Sequence, residues 1–245
     1  MKLFLTSSPC SPYSQKDGGV RWGYSRENGF LDSLAEGWEP GCSCLMISSD
    51  PEDFGHNDKM REEFFGFFQV SGIPVSALAI CDRRNQDRLG SLLRESGIVI
   101  LAGGHVPTQN AFFREIGLKR LIRDFSGTVV GISAGTMNCA DVVYAQPELP
   151  GESCDCAYQR FPEGLGLTDL QILPHYQQVK DNLLDGRRLM EDITYGDSYG
   201  RTFYALVDGS YVLCDGGRRT LCGEAYRIRD GVRTKICEKG QRIDL

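Results

Sequence analysis

The chain has 245 residues, 41% of them hydrophobic and 24% charged, with a formal net charge of −6. That is enough apolar material for a sizeable core and an ordinary globular composition. A mildly acidic chain argues against a nucleic-acid backbone as the main partner, because phosphate binding needs clustered Lys and Arg. The 10 cysteines are scattered along the chain, unlike the framework of a short secreted disulfide scaffold. Cys81, Cys139 and Cys214 lie in apolar runs and read as small core hydrophobes. Cys42/Cys44 and Cys154/Cys156 are C-x-C pairs, not the C-x-x-C of common zinc sites. Reduced thiols are the expectation, with a metal at Cys154-Asp155-Cys156 as the lesser alternative. The apolar run at residues 2–5 is broken by Thr6-Ser7-Ser8-Pro9, too early for a signal peptide, and no run approaches the roughly 20 residues of a membrane span. The expectation is a cytoplasmic protein without a membrane partner.

In chain order, residues 2–5 read as a strand, 43–47 as a second and 75–81 as a third. Residues 98–102 form a fourth, ending in Gly103-Gly104, and 128–132 a fifth, ending at Ser133. Between them, residues 57–70 place Met60, Phe64, Phe65, Phe67 and Phe68 at helical spacing, and 86–95 and 109–125 behave similarly. Strands alternating with helices predict an α/β fold, a doubly wound and mainly parallel sheet with flanking helices. Ligands gather at the carboxyl ends of such strands, which is where both Gly-rich sequences fall. The second half differs. Residues 148–163 read as a long loop, 170–173 as a short strand leading into Pro174-His175, and 185–195 as a helix. From Thr202 onward, Asp208-Gly209, Asp215-Gly216 and Asp230-Gly231 are hairpin-type turn signals between β-prone runs. They predict a C-terminal antiparallel β ribbon packed on the main sheet, within one domain covering residues 1–245.

Gly131-Ile132-Ser133-Ala134-Gly135 fits G-x-S-x-G. The pattern suits a nucleophile on a sharp strand-to-helix turn, where small flanking residues let strand and helix approach closely. The turn lifts the serine oxygen clear of the sheet, and the Ala134 amide points into the same space at the start of a helix predicted over 136–143. A serine hydroxyl needs a base, usually histidine. The chain has 3. His56 reads as a surface residue, whereas His105 and His175 both sit at strand ends. No histidine follows His175, and this chain order disfavours an α/β-hydrolase. If His175 is the base, Asp208 is the simplest later acid to orient it, although Asp208-Gly209 reads equally well as a plain turn.

Taken together, four segments resemble peptidase family S51. They are Gly103-Gly104, the elbow, Leu173-Pro174-His175-Tyr176, and Leu206-Val207-Asp208-Gly209-Ser210. That family includes aspartyl dipeptidases and has a fold like class I glutamine amidotransferases. The resemblance implies Ser133 as nucleophile, His175 as base and Asp208 as its acid partner, with an oxyanion hole from the amides of Gly104 and Ala134. It implies no metal and no organic cofactor. The aspartyl dipeptidase has glutamate where this chain has Asp208, and Gly-Asn-Thr-Phe-Gln where this chain has Gly104-His105-Val106-Pro107-Thr108-Gln109. His105 and Gln109 therefore become candidate substrate-binding residues. An aspartyl substrate would also need cations, for which Arg160, Arg187, Arg188 and Arg201 are the residues to place.

The expected activity is hydrolysis of short peptides, with Asp-X dipeptides as a class to examine and homodimerisation left open. The rival readings are a non-catalytic binder of small peptides or metabolites on the same scaffold, and a serine amidase or esterase of other specificity. Glutamine amidotransfer would need a cysteine thiolate at the elbow, and Cys139 lies beyond it.

Overall fold

The computed structural model describes residues 1–14 and 18–245. Its strands, in chain order, are β1 (Lys2–Thr6), β2 (Cys10–Ser14), β3 (Val20–Tyr24), β4 (Cys44–Ile47), β5 (Leu78–Cys81), β6 (Ile98–Leu101), β7 (Thr128–Ile132) and β8 (Gln171–Leu173). They continue as β9 (Leu183–Leu184), β10 (Arg187–Arg188), β11 (Thr202–Leu206), β12 (Tyr211–Asp215), β13 (Arg218–Cys222), β14 (Ala225–Arg229), β15 (Val232–Cys237) and β16 (Arg242–Asp244). The helices are α1 (Phe30–Ala35), α2 (Phe54–Val70), α3 (Leu89–Arg94), α4 (Val106–Glu115), α5 (Leu118–Leu121), α6 (Ala134–Met137), α7 (Tyr176–Val179) and α8 (Tyr195–Asp197).

Continuous apolar runs make strands buried on both faces, and they form the centre of the main sheet, ordered β16-β13-β12-β1-β7-β6-β4-β5. Strands β1, β7, β6, β4 and β5 run parallel, as the alternation of strands and helices predicts. Successive side chains face opposite ways. Leu3, Leu5, Leu45, Ile47, Val99 and Leu101 therefore pack on one face, while Phe4, Met46, Ile98, Ile100 and Val130 pack on the other. A second sheet, ordered β15-β14-β11-β8, has its own core of Tyr144, Leu173, Met190, Phe203 and Ile228.

The C-terminal strands pair antiparallel, as expected, and divide between the two sheets. β12, β13 and β16 extend the main sheet, because β12 pairs antiparallel with β1. β14 and β15 instead pair outward from β11. Asp215-Gly216 and Asp230-Gly231 join hairpin neighbours as their sequence suggests. Asp208-Gly209 does not, since it carries the chain from β11 in the second sheet to β12 in the main one. This junction brings the parallel pair β8–β11 to the carboxyl ends of β1 and β7.

Three helices differ from the sequence reading. The stretch 109–125 starts earlier, at α4, and breaks at Gly117, whose φ of 63° is left-handed. Residues 136–143 give only the single turn α6, because Ala140 and Val142 bridge to Thr168 and Glu163 as extended chain. Residues 185–195 begin as a hairpin turn, with Asp185 and Gly186 at φ 51° and 78°, and then form one wide helical segment over Leu189–Thr194. Two consecutive positive φ values are the hallmark of tight hairpin turns and exclude a helix there.

Strand β6 and the elbow meet through Gly135. A Cβ there would fall well inside van der Waals contact distance of the Leu101 carbonyl oxygen and 2.7 Å from Leu101 Cβ. Backbone of a central strand cannot move aside. Gly135→Ala is expected to cost about 2 kcal/mol or more of stability. Gly66→Ala, inside α2 with open space around it, should be neutral or stabilising by up to about 1 kcal/mol. Urea melts of both variants check the contrast.

Candidate active site

Three adjacent strands, β1, β7 and β6, end side by side. Ser7 follows the first, Ser133 the second and Gly103-Gly104 the third. A Cβ on Gly103 would sit 3.4 Å from the Ser133 Cβ, and one on Gly104 would strike Ser49, at 2.7 Å from its Cβ. Gly104 has no room for a side chain, while Gly103 lies in van der Waals contact with the elbow, so the Gly-Gly pair and Ser133 share one small space.

Ser133 sits at φ 49° and ψ −111°, a backbone state costing about 1–3 kcal/mol. It is held there from both sides. Its amide donates to the Thr6 carbonyl at 3.2 Å, and its carbonyl accepts from the Met137 amide at 3.1 Å. Gly131 is required too, since a Cβ there would lie 2.8 Å from Thr136 Cα. Ala134 is the first residue of α6, so no carbonyl one turn earlier in the helix receives its amide. With a single turn, α6 has little dipole, and any anion affinity here is a matter of individual amides.

His175 ends the Gln171–Leu173 strand after Pro174 and adopts φ 55°, ψ 34°. Its Nε2 lies 2.9 Å from Ser133 Oγ and its Nδ1 lies 2.7 Å from Asp208 Oδ1. A carboxylate accepts only, so Nδ1 carries a proton in this pair, and Nε2 can then accept from the Ser133 hydroxyl. Asp208 collects further donors. Ser7 Oγ donates to Oδ1 at 2.7 Å, while the Gln177 and Gln178 amides donate to Oδ2 at 2.5 and 2.9 Å. Burial pushes this carboxyl up, but the His175 and Ser7 hydrogen bonds, the His175 charge and Gln177 outweigh it and hold the group below its ordinary 3.8.

His56 is exposed on α2, away from this line. His105 lies beside Gly104, yet both ring nitrogens are engaged, Nδ1 with Thr108 Oγ1 at 2.7 Å and Nε2 with Glu152 Oε1 at 2.8 Å. Its visible task is to tie the 148–163 loop to the start of α4. The other Glu152 oxygen accepts from the Glu148 and Leu149 amides. Asp185 secures the same loop from the β9–β10 turn, accepting from the Gly151 and Ser153 amides. Glu148 is exposed as a residue, but its carboxyl is set against neighbours. Burial lifts it, His105 lowers it, Glu152 lifts it and His175 lowers it, for a net rise.

Gln109 is a correction. It is fully buried, its amide donating to the Ala102 carbonyl at 2.7 Å and accepting from Asn138 at 3.0 Å. That is a core bracket between β6 and the end of α6, with nothing left for a substrate. Ser7, Gln177 and Gln178 were not singled out by sequence reasoning. The signal was present in part, because Ser7 follows a strand end next to the elbow strand.

Cys139 is buried and burial pushes its thiol far up, so it offers no thiolate beside the elbow. Cys154 and Cys156 are free and exposed, and among the described residues no three His, Cys, Asp or Glu side chains gather to hold a metal ion. Nor is any described helix long and apolar enough to cross a membrane. A cavity of about 920 Å³ opens at the opposite, amino-terminal end of the sheet, lined by Lys2, Trp38, Cys42 and Thr128 among others. It contains none of the groups described above.

A serine on a strained elbow, facing an imidazole over a mainly parallel sheet, defines a serine hydrolase architecture. The chain belongs to peptidase family S51, whose family model matches residues 52–222, and it is a serine-type peptidase. The fold is similar to that of a peptidase from an acI-B1 Actinobacterium, with a TM-score of 0.68 and 16% identity, over 100% of this chain and 96% of that one. It is also similar to a candidate peptidase E protein from Listeria monocytogenes EGD-e, with a TM-score of 0.58 and 14% identity, over 96% of this chain and 98% of that one. No curated protein matches the sequence.

Because Asp208 is held below its ordinary value, it stabilises the folded state above that range, and the contribution is lost as pH falls through the lowered value. Unfolding free energies measured by urea between pH 5 and 2.5 should therefore fall with acidification. Asp208→Asn should flatten that slope.

Proposed function

We propose that the protein hydrolyses short peptides through an acyl-enzyme on Ser133, with His175 as general base and Asp208 as its orienting acid. One observation carries this reading: Oγ, the imidazole and the carboxylate stand in one hydrogen-bonded line, at 2.9 and 2.7 Å. His175 takes the Ser133 proton as Oγ bonds to the peptide carbonyl carbon. The C–N bond then breaks, and His175 returns the proton to the leaving amine. Water, deprotonated by the same imidazole, releases the acid. The Ala134 and Gly104 amides are the donors assigned to the oxyanion, each worth about 3 kcal/mol by analogy with oxyanion-hole deletions.

A free amino terminus on the substrate is favoured by the charge around the cleft. Glu152 bonds His105 at 2.8 Å, and the Glu148 carboxyl interacts electrostatically with both His105 and His175. An aspartyl side chain would need a cation, and most of the arginines considered are engaged. Arg160 pairs with Asp197 and Arg188 with Asp192, each at 2.8 Å or less, while Arg201 lies over the Phe161 ring at 4.0 Å. Arg187, exposed on β10, forms no ion pair among the described residues, which makes it the arginine of these four to test for an Asp-X preference.

A fluorophosphonate should label wild-type protein at Ser133, and Ser133→Ala should abolish labelling and hydrolysis together. Labelling that persists in Ser133→Ala rejects the assignment. On a panel of Asp-X, neutral and basic dipeptides, N-acetylation should lower kcat/KM at least about tenfold, consistent with loss of a charged contact. Arg187→Ala should raise KM for Asp-X alone.

A further inference from the structure

Ser7 is fully buried, and its hydroxyl touches two members of the Ser133–His175–Asp208 line at once. The backbone amide of His175 donates to Ser7 Oγ at 2.8 Å, and Ser7 Oγ lies 2.7 Å from Asp208 Oδ1. An amide can only donate, so the one hydroxyl proton is free to go to the carboxylate. The same Oδ1 receives His175 Nδ1 at 2.7 Å. A closed ring of hydrogen bonds results, from the His175 backbone through Ser7 to Asp208 and back to the His175 side chain.

Resting on the serine-peptidase reading above, we propose that Ser7 is a positioning residue for that reaction, its hydroxyl fixing the His175 imidazole and the Asp208 carboxylate relative to each other. Three physical points support this. His175 holds a left-handed φ of 55°, an uncommon state for a residue other than glycine and one that its surroundings help to hold. The Ser7 bond holds its amide, and the turn 175–178 holds its carbonyl, which accepts from the Gln178 and Val179 amides at 2.8 and 3.0 Å. No solvent reaches the buried Ser7 side chain, so removing the hydroxyl strands an amide proton and one carboxylate lone pair. Finally, Oδ1 carries both the Ser7 and His175 protons while Gln177 and Gln178 fill Oδ2. A carboxylate so filled stays an anion as the imidazolium forms. Glu148, on the 148–163 loop, is a further charged group that faces His175.

The test measures fluorophosphonate reaction at Ser133 from pH 5 to 9, with kcat and KM on a dipeptide the wild type hydrolyses. Ser7→Ala and the near-isosteric Ser7→Cys are compared with Ser7→Thr, which keeps the hydroxyl, and thermal melts confirm that each variant is folded. Ser7→Ala and Ser7→Cys should slow labelling and kcat about 10- to 100-fold with KM within about threefold. The acid-limb midpoint should rise by about 0.5 pH unit, because a carboxylate short of a donor holds the imidazolium more firmly. Ser7→Thr should regain most of the rate. Rates within about twofold of wild type in a folded Ser7→Ala or Ser7→Cys overturn the proposal while leaving the peptidase reading intact. A loss of rate with an unmoved midpoint does the same, since it marks a general disturbance of the site and not a hold on the imidazole–carboxylate pair. Wild-type protein that reacts at a residue other than Ser133 defeats both.

Discussion

The site depends on the carboxyl end of β1, where three consecutive residues hold two sheets together. The Thr6 carbonyl receives the Ser133 amide at 3.2 Å and the Thr136 hydroxyl at 2.7 Å, while the Thr6 hydroxyl donates to the Gly131 carbonyl at 2.7 Å. Ser7 reaches His175 and Asp208. The Ser8 carbonyl accepts from the Gly209 amide at 3.0 Å, and the Ser7 amide donates to the Ser210 carbonyl at 3.2 Å. Ser133, His175 and Asp208 follow β7, β8 and β11, far apart in sequence, yet each is bonded to this one segment. Thr6 and Ser7 are fully buried, where hydrogen bonds are costly to leave unmade.

This bracing makes the strained geometry tolerable. Ser133 and His175 both occupy positive φ, at a combined cost of a few kcal/mol set against a typical total stability of roughly 5–15 kcal/mol. Close packing of Gly131 and Gly135 against Thr136 and Leu101 leaves the elbow no room to relax. The carboxylate at the far end of the line is treated differently. Its four hydrogen bonds from His175, Ser7, Gln177 and Gln178 keep it charged although burial works against this. On the other side of the cleft, the His105–Glu152 pair and Asp185 fasten the 148–163 loop at two points. This loop brings negative charge toward the cleft, and the substrate expectation follows from it.

The sheet was legible in the sequence because its strands are short apolar runs ending in glycine or serine, and burial on both faces demands such runs. The elbow was legible for a steric reason: Gly131 and Gly135 are where strand and helix touch. His175 and Asp208 could be named, but their meeting could not be seen, since Asp208-Gly209 looks like any hairpin turn and here crosses between sheets. Gln109 shows the reverse error. Its position after a Gly-Gly turn suggested a ligand contact, and only the fold reveals the buried Ala102 and Asn138 partners. Ser7 was hidden in a polar break after β1, because a serine's partners in a folded chain lie as far away as Asp208 and leave no local pattern. The helices predicted over 136–143 and 185–195 failed through extended pairing with residues 163–168 and through two left-handed turn residues at Asp185 and Gly186. Both are tertiary or turn effects that override a weak local propensity.

Ser133, His175, Asp208 and the amides of Ala134 and Gly104 are the groups assigned to one acyl-transfer site. A crystal structure of the fluorophosphonate adduct tests that assignment most directly. Phosphorus should be bonded to Ser133 Oγ, with a phosphoryl oxygen within hydrogen-bond distance of both the Ala134 and Gly104 amides. His175 Nδ1 should remain bonded to Asp208. An adduct on another residue would overturn this assignment, as would a phosphoryl oxygen turned to solvent with His175 drawn away from Asp208.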